Sequence, residues 1–330
     1  MDQSFETPIF HDYSRQGPPV DQCHRVDELW FADGTLVLAA EKSLFRVYGG
    51  LLAKRSAVFQ DMLEFSQPED AEAIDGCPVV HLADSDEDLK YFLRALFDYE
   101  SFEPLRTKTT FDILAGIIRL SSKYQVDGLR QRALYRLSSV FPLTVAEYCD
   151  NTDESWTIPA AEWIRVVCFA REMTLDWILP IAMYRTSGYC TTAQLLHGIE
   201  VKETHVELSA EDKLKCIEQS QSICRSVSEI VDFLWNPVKI QGCLQETICT
   251  ENRVRARRMV EGWRIKKKWF PVKVWHTQNW KTLAVCTVCS ASMKVTHQRA
   301  LEKFWNGLPR RFGLPDWDAL KQMKENDLRL

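Results

Sequence analysis

The stretch Asp33-Gly34-Thr35-Leu36-Val37-Leu38-Ala39-Ala40-Glu41-Lys42-Ser43-Leu44-Phe45-Arg46-Val47 decides the fold. Asp33-Gly34 reads as a turn that needs positive φ, and the apolar and β-branched run behind it reads as a strand. Glu41-Lys42 reads as a second short turn, so residues 35–40 and 43–47 are expected to pair as a hairpin. The apolar period then switches from two to 3.6. Leu51, Leu52, Val58, Phe59, Met62 and Leu63 recur at helical spacing, interrupted at Arg55, with Ser56 placed to cap a second short helix. Val79-Val80-His81-Leu82 is extended, and the acidic run Asp84-Ser85-Asp86-Glu87-Asp88 suits a helix start, where carboxylates meet the positive end of the dipole. Three apolar stripes follow: Leu89, Phe92, Leu93, Leu96 and Phe97; then Leu114, Ile117, Ile118, Ser121 and Tyr124; then Leu129, Ala133, Leu137, Val140 and Phe141. Pro142 stops the last.

In this order the segment resembles the BTB (POZ) family, and identifiable residues carry the likeness. Asp33 stands where that family keeps an acidic residue before its first strand. Ser56-Ala57-Val58-Phe59-Gln60-Asp61-Met62-Leu63 is similar to its Ser-x-x-Phe-x-x-Met helix, Leu96-Phe97-Asp98-Tyr99 to its helix ending in Tyr, and Lys123-Tyr124-Gln125 to its Lys-Tyr-Gln segment. Tyr48 occupies the place where many members carry His. Asp75-Gly76-Cys77-Pro78-Val79-Val80 and the closing Leu308-Pro309-Arg310-Arg311-Phe312-Gly313-Leu314-Pro315-Asp316-Trp317 resemble the fungal branch of the family. The resemblance implies an α+β fold, a small sheet capped by helices, followed by a mostly helical C-terminal region. It further implies a homodimer formed near the first helices, which places Leu51, Leu52, Val58, Phe59 and Met62 at the candidate interface.

The expected organisation is a disordered lead-in at 1–24, the BTB-like domain at 25–145, a helical region at 156–240 and a Cys/Trp-rich tail at 241–330. A chain of 330 residues exceeds one typical domain. Residues 1–24 hold Pro8, Gly17, Pro18 and Pro19 without periodicity, and Asn151-Thr152-Asp153-Glu154-Ser155 is a polar break. Behind it Trp163, Val166, Val167, Ala170 and Met173 resume helical spacing. Ser209 is placed to cap a helix ahead of Asp212, with Leu214, Ile217 and Ile223 as its apolar positions. Val227, Ile230, Val231 and Leu234 read as a further helix ending at Asn236-Pro237. Cys216 and Cys224 are expected in the core.

Eleven cysteines in a chain without a signal peptide point to a reducing, intracellular setting, cytoplasm or nucleus, with mostly free thiols. Stretches such as 282–293 are too short and too polar to span a membrane. Charge is uneven: thirteen acidic residues crowd 61–103 and ten basic ones crowd 251–281, so the two parts are expected to face different partners or each other.

Chemistry is sparse. The phosphate-loop, dinucleotide, zinc-protease and nucleophile-elbow motifs are missing, and the seven histidines are scattered, so no enzyme is expected. Cys286-Thr287-Val288-Cys289 has the spacing with which two thiolates grip one zinc ion. Cys243 and Cys249 are the candidate second pair, and His297 is a spare donor. Free buried thiols are the alternative. Arg253-Val254-Arg255-Ala256-Arg257-Arg258 with Arg264-Ile265-Lys266-Lys267-Lys268 resembles a two-part nuclear import signal. Met259, Trp263 and Phe270 are read as the buried face of that helix, with Arg257, Arg258, Arg264 and Lys268 solvated, and nucleic-acid binding is not the expectation. Six of the eleven tryptophans crowd the last quarter and read as core.

The function expected is therefore a non-catalytic, self-associating scaffold whose partners are proteins. Two other readings stay open: a substrate adaptor for a cullin ubiquitin ligase, using the face at 89–124, and a zinc-containing nuclear regulator.

Overall fold

The structure, a computed structural model, describes residues 19–64, 72–98, 109–150, 158–202, 204–266, 271–275 and 277–329, less the side chains of 161, 263–266 and 277. The lead-in up to Pro18, the polar break at 151–155, Trp269 and Phe270, and the Trp263 side chain lie outside the described residues. The fold class is α+β. Two compact units divide between Arg136 and Leu137.

The first unit holds β1 (His24–Trp30), β2 (Leu36–Ala40), β3 (Ser43–Val47), α1 (Gly49–Arg55), α2 (Ala57–Glu64), β4 (Ala73–Ile74), β5 (Cys77–Leu82), α3 (Asp86–Phe97), α4 (Phe111–Lys123) and most of α5 (Asp127–Ser138). Its strands form a sheet in the order β1-β3-β2-β5-β4. β2 pairs antiparallel with β3 through the expected two-residue turn, Ala40 opposite Ser43, and parallel with β5. Every residue of β2 is buried, which is why it reads as an unbroken apolar run rather than an alternating one.

The turn chemistry differs from the expectation in one place. Gly34 does not take positive φ; it closes a four-residue turn by donating its N–H to Phe31 O at 2.9 Å. Its need is for space, because a Cβ there would lie 2.9 Å from Arg46 Cγ and 3.0 Å from Phe31 O. Positive φ falls instead at Glu41 and at Asp75-Gly76, whose two successive positive values are those of a primed hairpin turn joining β4 to β5. The expected lead-in also ends early. A 3-10 turn at Val20–Gln22 precedes β1, and Val20, Cys23 and Trp30 pack on the buried cluster of Val37, Ala39, Leu44, Cys77 and Val79.

The central residue of this unit is Tyr124. Its ring stacks on Phe59 at 4.3 Å between centroids and lies 5.8 Å from Phe92. Its hydroxyl donates to Asp84, and its carbonyl accepts from Ser56 Oγ at 2.6 Å. Ser56 Oγ in turn accepts the Phe59 N–H at 3.1 Å, so one hydroxyl caps α2 and ties it to the end of α4.

The second unit holds α6 (Val145–Asp150), α7 (Trp163–Glu172), α8 (Leu179–Tyr189), α9 (Thr192–His197), the hairpin of β6 (Ile199–Val201) and β7 (Thr204–Val206), α10 (Ala210–Ile230), α11 (Glu246–Lys266), α12 (Thr277–Thr282), α13 (Thr287–Asn306), α14 (Leu308–Arg311) and α15 (Trp317–Leu328). The boundary expected at 145 lies inside this unit. Phe141, at the end of the third predicted stripe, is fully buried and meets Trp163 and Trp177 edge-on. The helical region and the tail, read as separate, share one core: Trp177 Nε1 donates to Asp327 at 2.9 Å, and Arg311 donates to Ser222 Oγ at 2.8 Å. Trp305 donates its ring N–H to Leu143 O and Trp317 donates its ring N–H to Trp305 O.

Ser209 caps α10 through the Asp212 N–H at 3.1 Å. The helix then runs unbroken to Ile230, absorbing Val227 and Ile230, and only a 3-10 turn at Asp232–Leu234 follows. Leu214 is exposed rather than core, and so is Cys224, which sits about 80° around the helix from the buried Cys216.

Ser56→Ala removes the α2 cap and leaves the Tyr124 carbonyl without its donor. Urea unfolding is expected to show a loss of about 1–3 kcal/mol; an unchanged midpoint and slope would mean that Ser56 is dispensable.

Candidate metal centre

Four cysteines from two distant stretches meet in the second unit. Cys243 lies in the loop after Pro237, just past Gly242 at φ 76°. Cys249 stands in the first turn of α11. Cys286 is the N-cap residue of α13, and Cys289 is in that helix's first turn. All four sulfurs lie within 4.8 Å of one another, Cys243 and Cys286 at 3.9 Å, and none of the eleven cysteines is in a disulfide. In a tetrahedral zinc–thiolate site with bonds of about 2.3 Å, sulfurs are roughly 3.8 Å apart. The set therefore needs to contract by no more than about 1 Å. A cavity of about 20 Å3 lies against Cys243, Cys249, Cys289 and Arg253, room for one water-sized occupant.

The electrostatics suit a cation. The backbone N–H groups of Cys289 and Leu244 face Cys286 Sγ and pull its pKa down to about 6. Burial pushes the Cys289 and Cys249 thiols up. The Cys286 N–H donates to Cys249 Sγ at 3.2 Å. N–H groups aimed at sulfur orient the ligands, and a metal ion supplies the charge that keeps buried thiols ionised. The four cysteines can hold a metal ion such as zinc. No Gly-bearing knuckle is needed for the Cys-x-x-Cys pair, since the N-terminus of α13 turns the chain.

His297, the spare donor, does not join the set. It is buried edge-on against Phe233 at 5.2 Å and Trp280 at 5.5 Å, and its Nε2 meets no partner among the described residues. Burial lowers its pKa to about 4.

The basic run is only partly solvated. The buried face of α11 is Cys249, Arg253, Ala256 and Val260, while Met259, expected on it, is exposed. Arg253, 3% exposed, donates to Pro237 O at 2.8 Å, Val238 O at 3.0 Å and Phe233 O at 3.4 Å. Arg257, expected in solvent, donates to Leu234 O at 2.6 Å. The first half of the import-like run therefore holds the loop that leads to Cys243. Charge content hid Arg253 from a sequence reading; the available signal was its position four residues after Cys249, on the Ala256 and Val260 stripe.

The candidate interface residues divide. Leu52 and Phe59 are fully buried in the first unit's own core and are withdrawn from any contact surface. Leu51, Val58 and Met62 are half-buried, together with Leu63. Among the described residues no helix is long and apolar enough to cross a membrane.

Compared with protein-family models, with curated proteins and with solved structures, the chain matches none.

An unfolded histidine takes up a proton near pH 6.5, whereas buried His297 resists until about pH 4. The unfolded state binds more protons in that window, so stability present above pH 6.5 is lost as pH falls toward 4. Relative to His297→Phe, wild-type stability is expected to drop by up to roughly 3 kcal/mol between pH 7 and 4. Parallel pH profiles for the two proteins in chemical denaturation would exclude this burial effect.

Proposed function

We propose that this chain is a non-catalytic interaction protein in which a BTB-type first unit self-associates and a zinc-bearing helical unit follows it. The order of hairpin, helical pair, returning strand and packed helices supports the BTB reading. So does the role of its recognised residues: Ser56, Phe59 and Tyr124 form one bonded core group. The observation that carries self-association is the division of the α1–α2 pair. Leu52 and Phe59 point inward, and Leu51, Val58, Met62 and Leu63 leave a half-buried apolar face on the same two short helices. A second copy of that face is its natural cover, since isologous contacts repeat one patch on both subunits.

Zinc is the metal proposed because an all-thiolate, four-ligand set of near-tetrahedral spacing suits it better than harder cations. A closed site with four protein ligands is structural, in keeping with the absence of enzyme motifs.

A native mass spectrum of the full chain purified without chelator is expected to show a dimer with one zinc per subunit. Val58→Glu with Met62→Glu is expected to give a monomer at micromolar concentration that keeps its zinc and its fold. A wild-type monomer at that concentration would overturn self-association, and a metal-free chain that takes up no added zinc would overturn the zinc assignment.

A further inference from the structure

The structure assigns Arg253 as the internal countercharge of the cysteine centre, a positioning residue that lets four thiolates persist in a buried site. This inference rests on the metal reading above. Zinc bound by four thiolates leaves a formal charge of two minus on the cluster, and an unpaired buried charge is costly. The cluster sits where Cys249 and Cys289 are both buried. Arg253 follows Cys249 by one turn of α11 and lines the same small cavity as Cys243, Cys249 and Cys289.

Carbonyl anchoring does not account for the whole side chain. The two terminal nitrogens of Arg253 hold the carbonyls of Phe233, Pro237 and Val238, but Nε is buried and meets no hydrogen-bond partner among the described residues. A neutral side chain could satisfy some carbonyls without bringing a desolvated cation into the core. Because Arg253 lines the cavity together with Cys243, Cys249 and Cys289, the cation gains a partner when metal loading turns those cysteines into thiolates. One residue thus couples two events: it fixes the loop 233–238 that delivers Cys243, and it offsets the charge that metal loading creates. Arg257 shares the first task, through Leu234 O and Trp235 O, and does not line the cavity.

The test compares the full-length chain with Arg253→Gln and Arg253→Lys. Zinc per chain is measured by elemental analysis, affinity by competition with a chromophoric chelator, and site geometry by the absorption of the cobalt-loaded protein. Loss of the charge in Arg253→Gln is expected to weaken zinc binding 10- to 100-fold, the usual cost of disturbing a group behind the ligands. Arg253→Lys keeps the charge but loses the planar fork; it is expected to retain most of the affinity and the tetrahedral cobalt spectrum while melting at lower temperature. Equal weakening in both variants would overturn the proposal, because anchoring alone would then explain Arg253. Unchanged affinity in Arg253→Gln would overturn it too. If Arg253→Gln does not fold, Arg253→Lys decides alone: near wild-type affinity supports the countercharge and a 10- to 100-fold loss overturns it. A wild-type chain that takes up no zinc removes the metal reading itself, an outcome separate from all of these.

Discussion

A buried polar group must find its partners inside the protein, and each unit of this chain is organised around one such group. In the first, Tyr124 uses its ring, its hydroxyl and its carbonyl to join α2, the segment ahead of α3 and the end of α4. In the second, Arg253 plays the equivalent part, binding the carbonyls of a loop that no regular ladder serves. Apolar burial supplies most of the driving force in both units, but it is non-directional. The polar partners select the register in which helices and loops meet.

The consequences are clearest around the cysteines. Two Cys pairs lie far apart in sequence, and neither pair sits on a dedicated metal-binding loop. They converge because α11 and α13 each begin with a cysteine in or beside the first turn, where backbone N–H groups have no partner within the helix. At the start of α13 those donors face sulfur, the Cys286 N–H on Cys249 and the Cys289 N–H on Cys286. The N–H groups facing Cys286 lower its pKa, while burial raises those of Cys249 and Cys289. Arg253 lines the same cavity as three of the four cysteines. A site of this kind ties the Cys243 loop to two helix starts, much as a disulfide would in an oxidising setting.

The α1–α2 pair shows how one short sequence serves two purposes. Leu52 and Phe59 complete the core beneath the sheet, and the residues around them stay half-buried. Helical periodicity assigns all of these positions to an apolar stripe without saying which arc of it faces inward. The same ambiguity accounts for Leu214 and Cys224, apolar by type and exposed in fact.

By itself the sequence determined the β2–β3 hairpin, the β5 run and the helices of the first unit, though not β1 or β4, along with the caps at Ser56 and Ser209 and the identity of the four cysteines. These depend on local chemistry: turn residues, apolar period, hydroxyls at helix starts and ligand spacing. Only the tertiary structure decided that the tail and the helical region share one core, that Phe141 belongs to the second unit, and that Arg253 and Arg257 are structural rather than solvated. It also decided that His297 stands apart from the cysteines. The physical reason is the same throughout. A side chain's role inside a core is set by what other segments bring against it, and neither composition nor period encodes the direction in which a long charged or aromatic group will turn.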